Sequence, residues 1–134
     1  MTKRTIALFG EAERGHFGQP HACASIEELA DLLGNPPPDS HGIFMAIQAL
    51  LSEYALLFFR VKEEGFSHKD YYKGLQILNE QANANLSVLA LAVPGVGDAG
   101  LIEVSSSFCN HHDSILVITE GDLYDYLTCA DFAA

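Results

Sequence analysis

Residues 55–61 of this 134-residue chain have the sequence Ala-Leu-Leu-Phe-Phe-Arg-Val, which is apolar on both faces of an extended strand. Such two-sided apolarity is typical of an interior strand in a parallel sheet, because helices cover both faces of that sheet. Similar runs at residues 5–9, 87–93 and 114–119 predict three further buried strands. The four runs together predict a parallel sheet, and they decide the fold class.

The segments between these runs carry apolar residues at helical spacing, which predicts an amphipathic helix in each connection. The predicted helices span approximately residues 25–33, 40–53, 67–84, 98–111 and 123–128. The order is then β-α-α-β-α-β-α-β-α, which indicates right-handed crossovers with helices on both faces. We therefore predict one small α/β domain over residues 1–134, doubly wound (Rossmann-like or flavodoxin-like), with a four-stranded parallel sheet of unspecified strand order.

Several helix starts are marked by residues that satisfy free backbone N–H groups. Ser25, Ser67 and Thr119 are each followed three residues later by an acid, the spacing of a capping box or a close variant of it. Ser40 and Asp98 are single candidates for the N-cap position.

Charge and cysteine content exclude several classes of protein. Eighteen acidic residues against seven basic ones give a net charge of −11, which repels phosphate backbones and anionic lipid. We therefore expect neither nucleic acid nor membrane as a partner. The three cysteines are widely spaced and odd in number, which favours reduced thiols over a disulfide framework. Together with an N-terminal apolar run too short for a signal peptide, this predicts a cytoplasmic protein.

Ligands of open parallel sheets bind outside the carboxyl ends of the strands. The loops predicted at those ends are residues 10–18, 62–66, 94–98 and 120–122, and each contains glycine and acid. The glycines of the first loop have the spacing G-x4-G-x2-G, which is neither the dinucleotide fingerprint nor a P-loop. No cofactor is therefore predicted, although sharp turns and helix starts by themselves also favour glycine and acids.

Residues of these loops are the candidates for a shared site. The predicted ligand-binding residues are Gly10, Arg14, Gly95 and Gly97, and the predicted catalytic carboxylates are Glu11, Asp98 and Glu120. Arg14 has the guanidinium needed to hold a phosphate or carboxylate, and glycine lets the backbone approach a ligand. Converging carboxylates suit attack at a sugar carbon, where one stabilises positive charge and another moves a proton.

Two groups of residues suggest a metal at first sight. Cys109 and His112 have the i, i+3 spacing that lets two side chains share one helix face. They lie near a predicted helix C-terminus, where histidine also interacts favourably with the helix dipole. His16, His21 and Cys23 form H-x4-H-x-C, which is not a standard zinc spacing. We predict no metal site.

Three functions remain open from the sequence. The domain binds a nucleotide-like or sugar-phosphate ligand and cleaves or transfers it, or it binds the same ligand without catalysis. Alternatively, it is a non-catalytic interaction or regulatory subunit with an acidic surface. A homodimer is also predicted, because many large apolar side chains accompany a single sheet: Phe44, Met45, Phe58, Phe59, Phe66 and Phe108.

Overall fold

The structure is a computed structural model that describes residues 4–133, with side chains described through residue 128. Its elements in chain order are β1 (Thr5–Gly10), β2 (Pro20–Cys23), α1 (Ile26–Leu33), α2 (Gly42–Leu51), β3 (Ala55–Arg60), α3 (His68–Asn83), β4 (Val88–Ala92), α4 (Ala99–His112), β5 (Ile115–Val117) and α5 (Glu120–Ala133). The α/β class predicted from the sequence is confirmed. Within the described range, no helix is long and apolar enough to cross a membrane.

The described residues form one five-stranded sheet in the order β2-β3-β1-β4-β5. β1 lies between β3 and β4 and runs parallel to both, with Ile6 opposite Leu56 on one side and Ala90 on the other. β5 continues the parallel part beyond β4. The four predicted strands are thus present and mutually parallel, as the two-sided apolar runs indicate.

The prediction of a purely parallel four-stranded sheet is wrong, because β2 pairs with β3 in antiparallel orientation. This strand has the sequence Pro-His-Ala-Cys, and three of its four residues are at least partly exposed. Proline at the first position and a half-exposed histidine at the second are compatible with a sheet edge but not with an interior strand. A four-residue segment of this composition has no apolar run, so nothing in its pattern predicted a strand.

Two apolar layers cover the sheet, one on each face. Ile6 and Leu8 of β1 point to the layer shared with α1, α2 and α5, whereas Ala7 and Phe9 point to the layer shared with α3 and α4. The Phe9 ring stacks on the Phe59 ring, with centroids 4.6 Å apart. Alternation along one central strand therefore places helices on both faces.

The large apolar residues that suggested self-association are mostly in the core. Four of them are buried and fill the two apolar layers: Met45, Phe58, Phe59 and Phe108. Phe44 and Phe66 are exposed at 49% and 71%. Most of the set therefore gives no basis for an apolar outer surface.

Three predicted caps are confirmed. The Glu28 N–H donates to the Ser25 hydroxyl at 3.1 Å, and the Leu101 N–H donates to the Asp98 carboxylate at 3.0 Å. The Asp122 N–H donates to the Thr119 hydroxyl at 3.0 Å, while the Thr119 N–H donates to the Asp122 carboxylate at 3.2 Å. That reciprocal pair is a capping box, and it starts α5.

One predicted cap is wrong, and another is confirmed only in its position. Ser40 donates its hydroxyl to the Pro37 carbonyl at 2.6 Å, and His41 takes the N-cap position of α2 without a side-chain cap. Ser67 holds the N-cap position of α3 as predicted, but its hydroxyl donates to the Glu63 carbonyl at 2.9 Å and makes no capping hydrogen bond. In both cases the turn that precedes the helix offers the serine a nearer partner.

Candidate functional site

The carboxyl ends of β1, β3, β4 and β5 lie at one edge of the sheet because these strands are parallel. The chain leaves β1 toward the β3 edge of the sheet and leaves β4 toward the β5 edge, so the strand order reverses direction between β1 and β4. This is the position where doubly wound domains bind ligands. The predicted site residues therefore belong to one edge, and the side-chain contacts decide which of them meet.

The crevice between these loops is filled by the carboxylate of Glu64, which is 8% exposed. Its Oε2 accepts hydrogen bonds from the N–H groups of Glu11 and Gly42, both at 2.9 Å, and its Oε1 accepts one from the N–H of His41 at 2.9 Å. Free N–H groups at a helix N-terminus favour an anion, and here the anion comes from the chain itself. A ligand phosphate would have to displace this carboxylate.

Glu11, one of the predicted catalytic carboxylates, is part of the same arrangement. Its Oε2 accepts a hydrogen bond from the Glu64 N–H at 3.0 Å, so Glu11 and Glu64 each receive the other's backbone N–H. The reciprocal pair joins the loop after β1 to the loop after β3. The Glu11 carboxylate therefore has a structural partner at the position where substrate chemistry was expected.

Glycines close the crevice by letting backbone segments touch. A Cβ on Gly10 would lie 2.8 Å from the Cα of Gly42, and a Cβ on Gly65 would lie 2.2 Å from the carbonyl oxygen of Gly95. Gly65 also has φ of +88°, which disfavours other residues. Gly10 and Gly95 were predicted to approach a ligand; in the structure Gly10 approaches the first residue of α2, and Gly95 approaches the loop after β3.

Arg60, at the end of β3, holds the loop that follows β1. Its guanidinium donates to the carbonyls of Ala12 at 3.1 Å, Gly15 at 2.8 Å and Glu13 at 3.4 Å. Loop carbonyls without a regular partner are thereby satisfied by one side chain. The glycine-rich loop is thus fixed to the neighbouring strand.

Arg14, the predicted anion-binding residue, binds the end of α1. Its guanidinium donates to the carbonyls of Ala30 at 2.9 Å and Asp31 at 3.2 Å. The last carbonyls of a helix lack helical partners, and a cation there interacts well with the helix dipole. In this position Arg14 does not line the open cavity that contains Gly95 and Glu120.

An open cavity of about 420 Å³ lies beside the filled crevice, between the loops after β4 and β5 and the start of α2. Its lining consists of His41, Pro94, Gly95, Ile118, Thr119, Glu120 and Gly121. The His41 Nδ1 lies 3.7 Å from the Glu120 Oε1, an ion pair when the histidine is protonated. Two predicted site residues, Gly95 and Glu120, therefore meet in one cavity.

The remaining predicted residues, Gly97 and Asp98, lie at the start of α4. Asp98 uses Oδ2 to cap the helix, and its Oδ1 lies 4.0 Å from the His68 Nε2. A Cβ on Gly97 would meet nothing within 4 Å, so no close approach requires glycine there. Neither residue lines the cavity that holds Glu120.

The cysteines and histidines considered for metal have other surroundings. Burial raises the pKa of the Cys109 thiol to about 11. The pKa of the Cys23 thiol is also raised to about 11, mainly by burial and to a smaller extent by the negative charge of Glu28. The His112 ring hydrogen-bonds to Asn79 at 2.8 Å. Over the described residues, no group of three or more Cys, His, Asp and Glu could hold a metal ion.

Arg60 and His41 were not predicted, and Glu64 was predicted only as one of several candidate carboxylates in the strand-end loops, not as a buried structural anion. Arg60 carried a usable signal, since a charged residue closes an otherwise apolar buried strand. Glu64 follows Glu63 in a polar loop, and nothing local distinguishes the buried acid from the exposed one. His41 precedes α2, and its position opposite Glu120 depends on contacts between segments far apart in the chain.

Comparison of the chain with models of protein families, with curated proteins and with solved structures finds no match. The sheet edge offers a crevice filled by Glu64 and an open cavity whose titratable residues are His41 and Glu120.

Proposed function

We propose that the domain binds a small molecule in the cavity between His41 and Glu120 and acts as a binding module without catalysis. The observation that supports this is the cavity itself, at the strand ends where doubly wound domains bind ligands. Its volume of about 420 Å³ is within the range of small-molecule pockets.

The lining favours an uncharged, hydroxyl-bearing ligand such as a nucleoside or a sugar. Pro94 and Ile118 supply apolar surface, while Glu120 and the Thr119 hydroxyl offer polar groups. The lining residues include no Lys or Arg, and the N–H groups of His41 and Gly42 already bind the Glu64 carboxylate. A ligand phosphate would face the Glu120 carboxylate without a Lys or Arg to pair with, so we favour the sugar or nucleoside part of the nucleotide-like ligand.

The arrangement favours binding over bond cleavage. Sugar chemistry by paired carboxylates requires two of them across one reacting centre, about 5–10 Å apart. Among the three predicted catalytic acids, Glu120 lines the cavity, whereas Glu11 is bonded to the Glu64 N–H and Asp98 caps α4. We therefore propose Glu120 as a ligand-binding residue.

The experiment is a thermal-shift screen with matched pairs of nucleosides and nucleoside monophosphates, and with sugars and their phosphates. Ligand at a hundred times its dissociation constant adds about 2.7 kcal/mol, which raises the melting temperature by several degrees. We expect the uncharged member of a pair to give the larger shift. Shifts by phosphates alone, or by no compound, would contradict the proposal.

A matched pair of variants localises the ligand. Glu120→Gln removes a carboxylate from the cavity and should abolish most of the shift. Glu103→Gln makes the same chemical change on the exposed surface of α4, outside this lining, and should leave the shift unchanged. An equal loss in both variants would place the ligand elsewhere.

We further propose that the domain is doubly wound in the flavodoxin-like manner. The supporting observation is the order β3-β1-β4-β5 of its parallel strands, which corresponds to 2-1-3-4 when these four are counted along the chain. β2 is an antiparallel addition at one edge. Two unpaired buried cysteines, Cys23 and Cys109, also suit the reducing cytoplasm proposed for this protein.

We also propose that the protein forms a homodimer through α2. Phe44 and Leu51 are separated by seven residues, so they share one helix face, and they are 49% and 71% exposed. Leu51→Glu should convert a dimer to a monomer in light scattering. Val104→Glu, on an exposed position of α4, should not. A wild-type chain that stays monomeric at high concentration would contradict the proposal.

A further inference from the structure

Positive charge in this acidic chain is concentrated in one region. Four of the seven Lys and Arg residues lie between residues 60 and 73. Together with two exposed aromatic residues they form what we call the basic–aromatic patch, consisting of Phe17, Arg60, Lys62, Phe66, Lys69 and Lys73. The rest of the chain carries most of the eighteen acids, so the patch is opposite in sign to the protein as a whole.

Cations surround Phe17 in this patch. The guanidinium carbon of Arg60 lies 4.3 Å from the Phe17 ring centroid, and the Lys62 ammonium lies 6.0 Å from it. Lys73 reaches the next residue, since a Cβ on Gly18 would lie 2.8 Å from its ammonium nitrogen. Three cations from β3, its following loop and α3 thus meet at the loop after β1.

The second half of the patch contains a hollow of about 370 Å³. Its lining consists of Lys62, Phe66, Ser67, His68, Lys69 and Asp70. Lys62 lines this hollow and also lies near the Phe17 ring, so the two halves are continuous. Phe66 is 71% exposed, so its ring offers apolar surface directly beside the lysines of the hollow.

We propose that the basic–aromatic patch docks an acidic peptide segment of a partner protein, with one apolar side chain of that segment against Phe66. Carboxylates of the segment pair with Lys62, Lys69 and Lys73. Because the remaining surface is acidic, it repels such a segment everywhere else, which directs the segment to this patch. The patch lies outside the lining of the His41–Glu120 cavity, so the two sites are independent.

Two features favour a peptide over single-stranded nucleic acid. Nucleic acid needs aromatic faces for stacking and an unbroken positive track for its phosphates. The Phe17 ring already carries the Arg60 guanidinium over its face, and the acids Glu63 and Asp70 lie among the lysines. A peptide can place apolar and acidic side chains in alternation, which fits a patch that is itself mixed.

The test uses the whole protein and a fluorescein-labelled peptide rich in Asp that also carries leucine, followed by fluorescence anisotropy. We expect saturable binding that weakens at least tenfold when ionic strength rises from about 0.05 M to about 0.5 M, because exposed charges are screened. The same peptide with Asn in place of Asp should not bind. Phe66→Ala should weaken binding several-fold through loss of the apolar contact.

Two double variants with the same change of net charge separate the patch from the general field. Lys62→Gln with Lys69→Gln and Ala30→Glu with Ser87→Glu each make the protein more acidic by two charges. The first should weaken binding about tenfold, on the scale of a lost charge-assisted hydrogen bond. The second changes exposed positions on α1 and before β4 and should change binding less than twofold.

Three outcomes would overturn the proposal. One is the absence of saturable peptide binding at the lower ionic strength. Another is an equal loss of affinity in the two double variants. The third is tighter binding of a labelled oligothymidylate than of the peptide, which would identify the patch as a nucleic-acid surface. Circular dichroism and urea unfolding of each variant distinguish a lost contact from a lost fold.

Discussion

The crevice around Glu64 and the cavity around Glu120 lie side by side at the same sheet edge, and they differ in what fills them. The Glu64 carboxylate is 8% exposed and accepts three backbone N–H groups, whereas the Glu120 side chain is 45% exposed and faces His41 at 3.7 Å. Both regions are built from glycine, acid and a helix start. The same residue types therefore fill a crevice with the protein's own carboxylate in one place and line an accessible cavity in the other.

Burial of the acid decides its role in each region. A carboxylate with three hydrogen bonds inside the protein is a structural anion, and its removal leaves buried donors without partners. A half-exposed carboxylate has water as an alternative partner and is available to a ligand. Stability measurements should therefore separate the two regions, because the filled crevice stabilises the fold and the open cavity contributes little.

The largest expected effect comes from Glu64→Ala. Loss of the carboxylate leaves the N–H groups of Glu11, His41 and Gly42 without their acceptor, at about 1–3 kcal/mol for each buried group. We expect the free energy of unfolding to fall by about 3 kcal/mol or more, measured by urea denaturation. Glu63→Ala, the exposed neighbour, should change it by less than about 0.5 kcal/mol. Equal effects of the two variants would remove the distinction between the regions.

The next effect concerns the glycines that close the crevice. Gly65→Ala places a Cβ 2.2 Å from the Gly95 carbonyl oxygen at a φ of +88°, so it should cost about 2 kcal/mol of stability or more. Gly97→Ala meets nothing within 4 Å and should change stability by less than about 0.5 kcal/mol. Urea denaturation of both variants tests this. A tolerated Gly65→Ala would mean that the loops after β3 and β4 are not in close contact.

The positions of the four parallel strands and their common edge could be predicted, because two-sided apolarity is a local property of each run. β2 could not be, since a half-exposed Pro-His-Ala-Cys segment gains its strand conformation only from pairing with β3. Four of the predicted site residues lie at the sheet edge where they were expected: Gly10, Glu11, Gly95 and Glu120. Their hydrogen-bond partners could not be predicted, because the Glu64 carboxylate binds backbone N–H groups, which every residue type except proline carries.

Tyr71 gives an intermediate effect that also depends on pH. Its hydroxyl accepts a hydrogen bond from the Gly65 N–H at 2.7 Å, so Tyr71→Phe should cost about 1 kcal/mol or more at neutral pH. Burial, more than the nearby acids, raises the pKa of Tyr71 far above its ordinary value. The exposed neighbour provides the control, since Tyr72→Phe should have little effect on stability.

The sign of the pH dependence follows from that raised pKa. The unfolded chain loses its tyrosine protons near pH 10, whereas folded Tyr71 keeps its proton to higher pH. Stability contributed by the protonated form is complete below pH about 10 and is lost as pH rises above it. The wild type should therefore lose stability above pH about 10 more steeply than Tyr71→Phe does. Tyr126, whose pKa burial raises to about 12, contributes the same trend to both proteins. Parallel curves for the two proteins would show that Tyr71 is not held protonated.

The smallest expected effect lies in the open cavity. The His41 and Glu120 side chains are 57% and 45% exposed, and ion pairs of this kind typically contribute less than about 1 kcal/mol. A double-mutant cycle of His41→Gln and Glu120→Gln, measured by urea denaturation in mildly acidic buffer, should give a coupling of about 0.5 kcal/mol or less. A coupling of several kcal/mol would mean that this pair stabilises the fold as Glu64 does. A small coupling leaves both side chains free to exchange their contact for one with a ligand, because little folding energy is lost when they part.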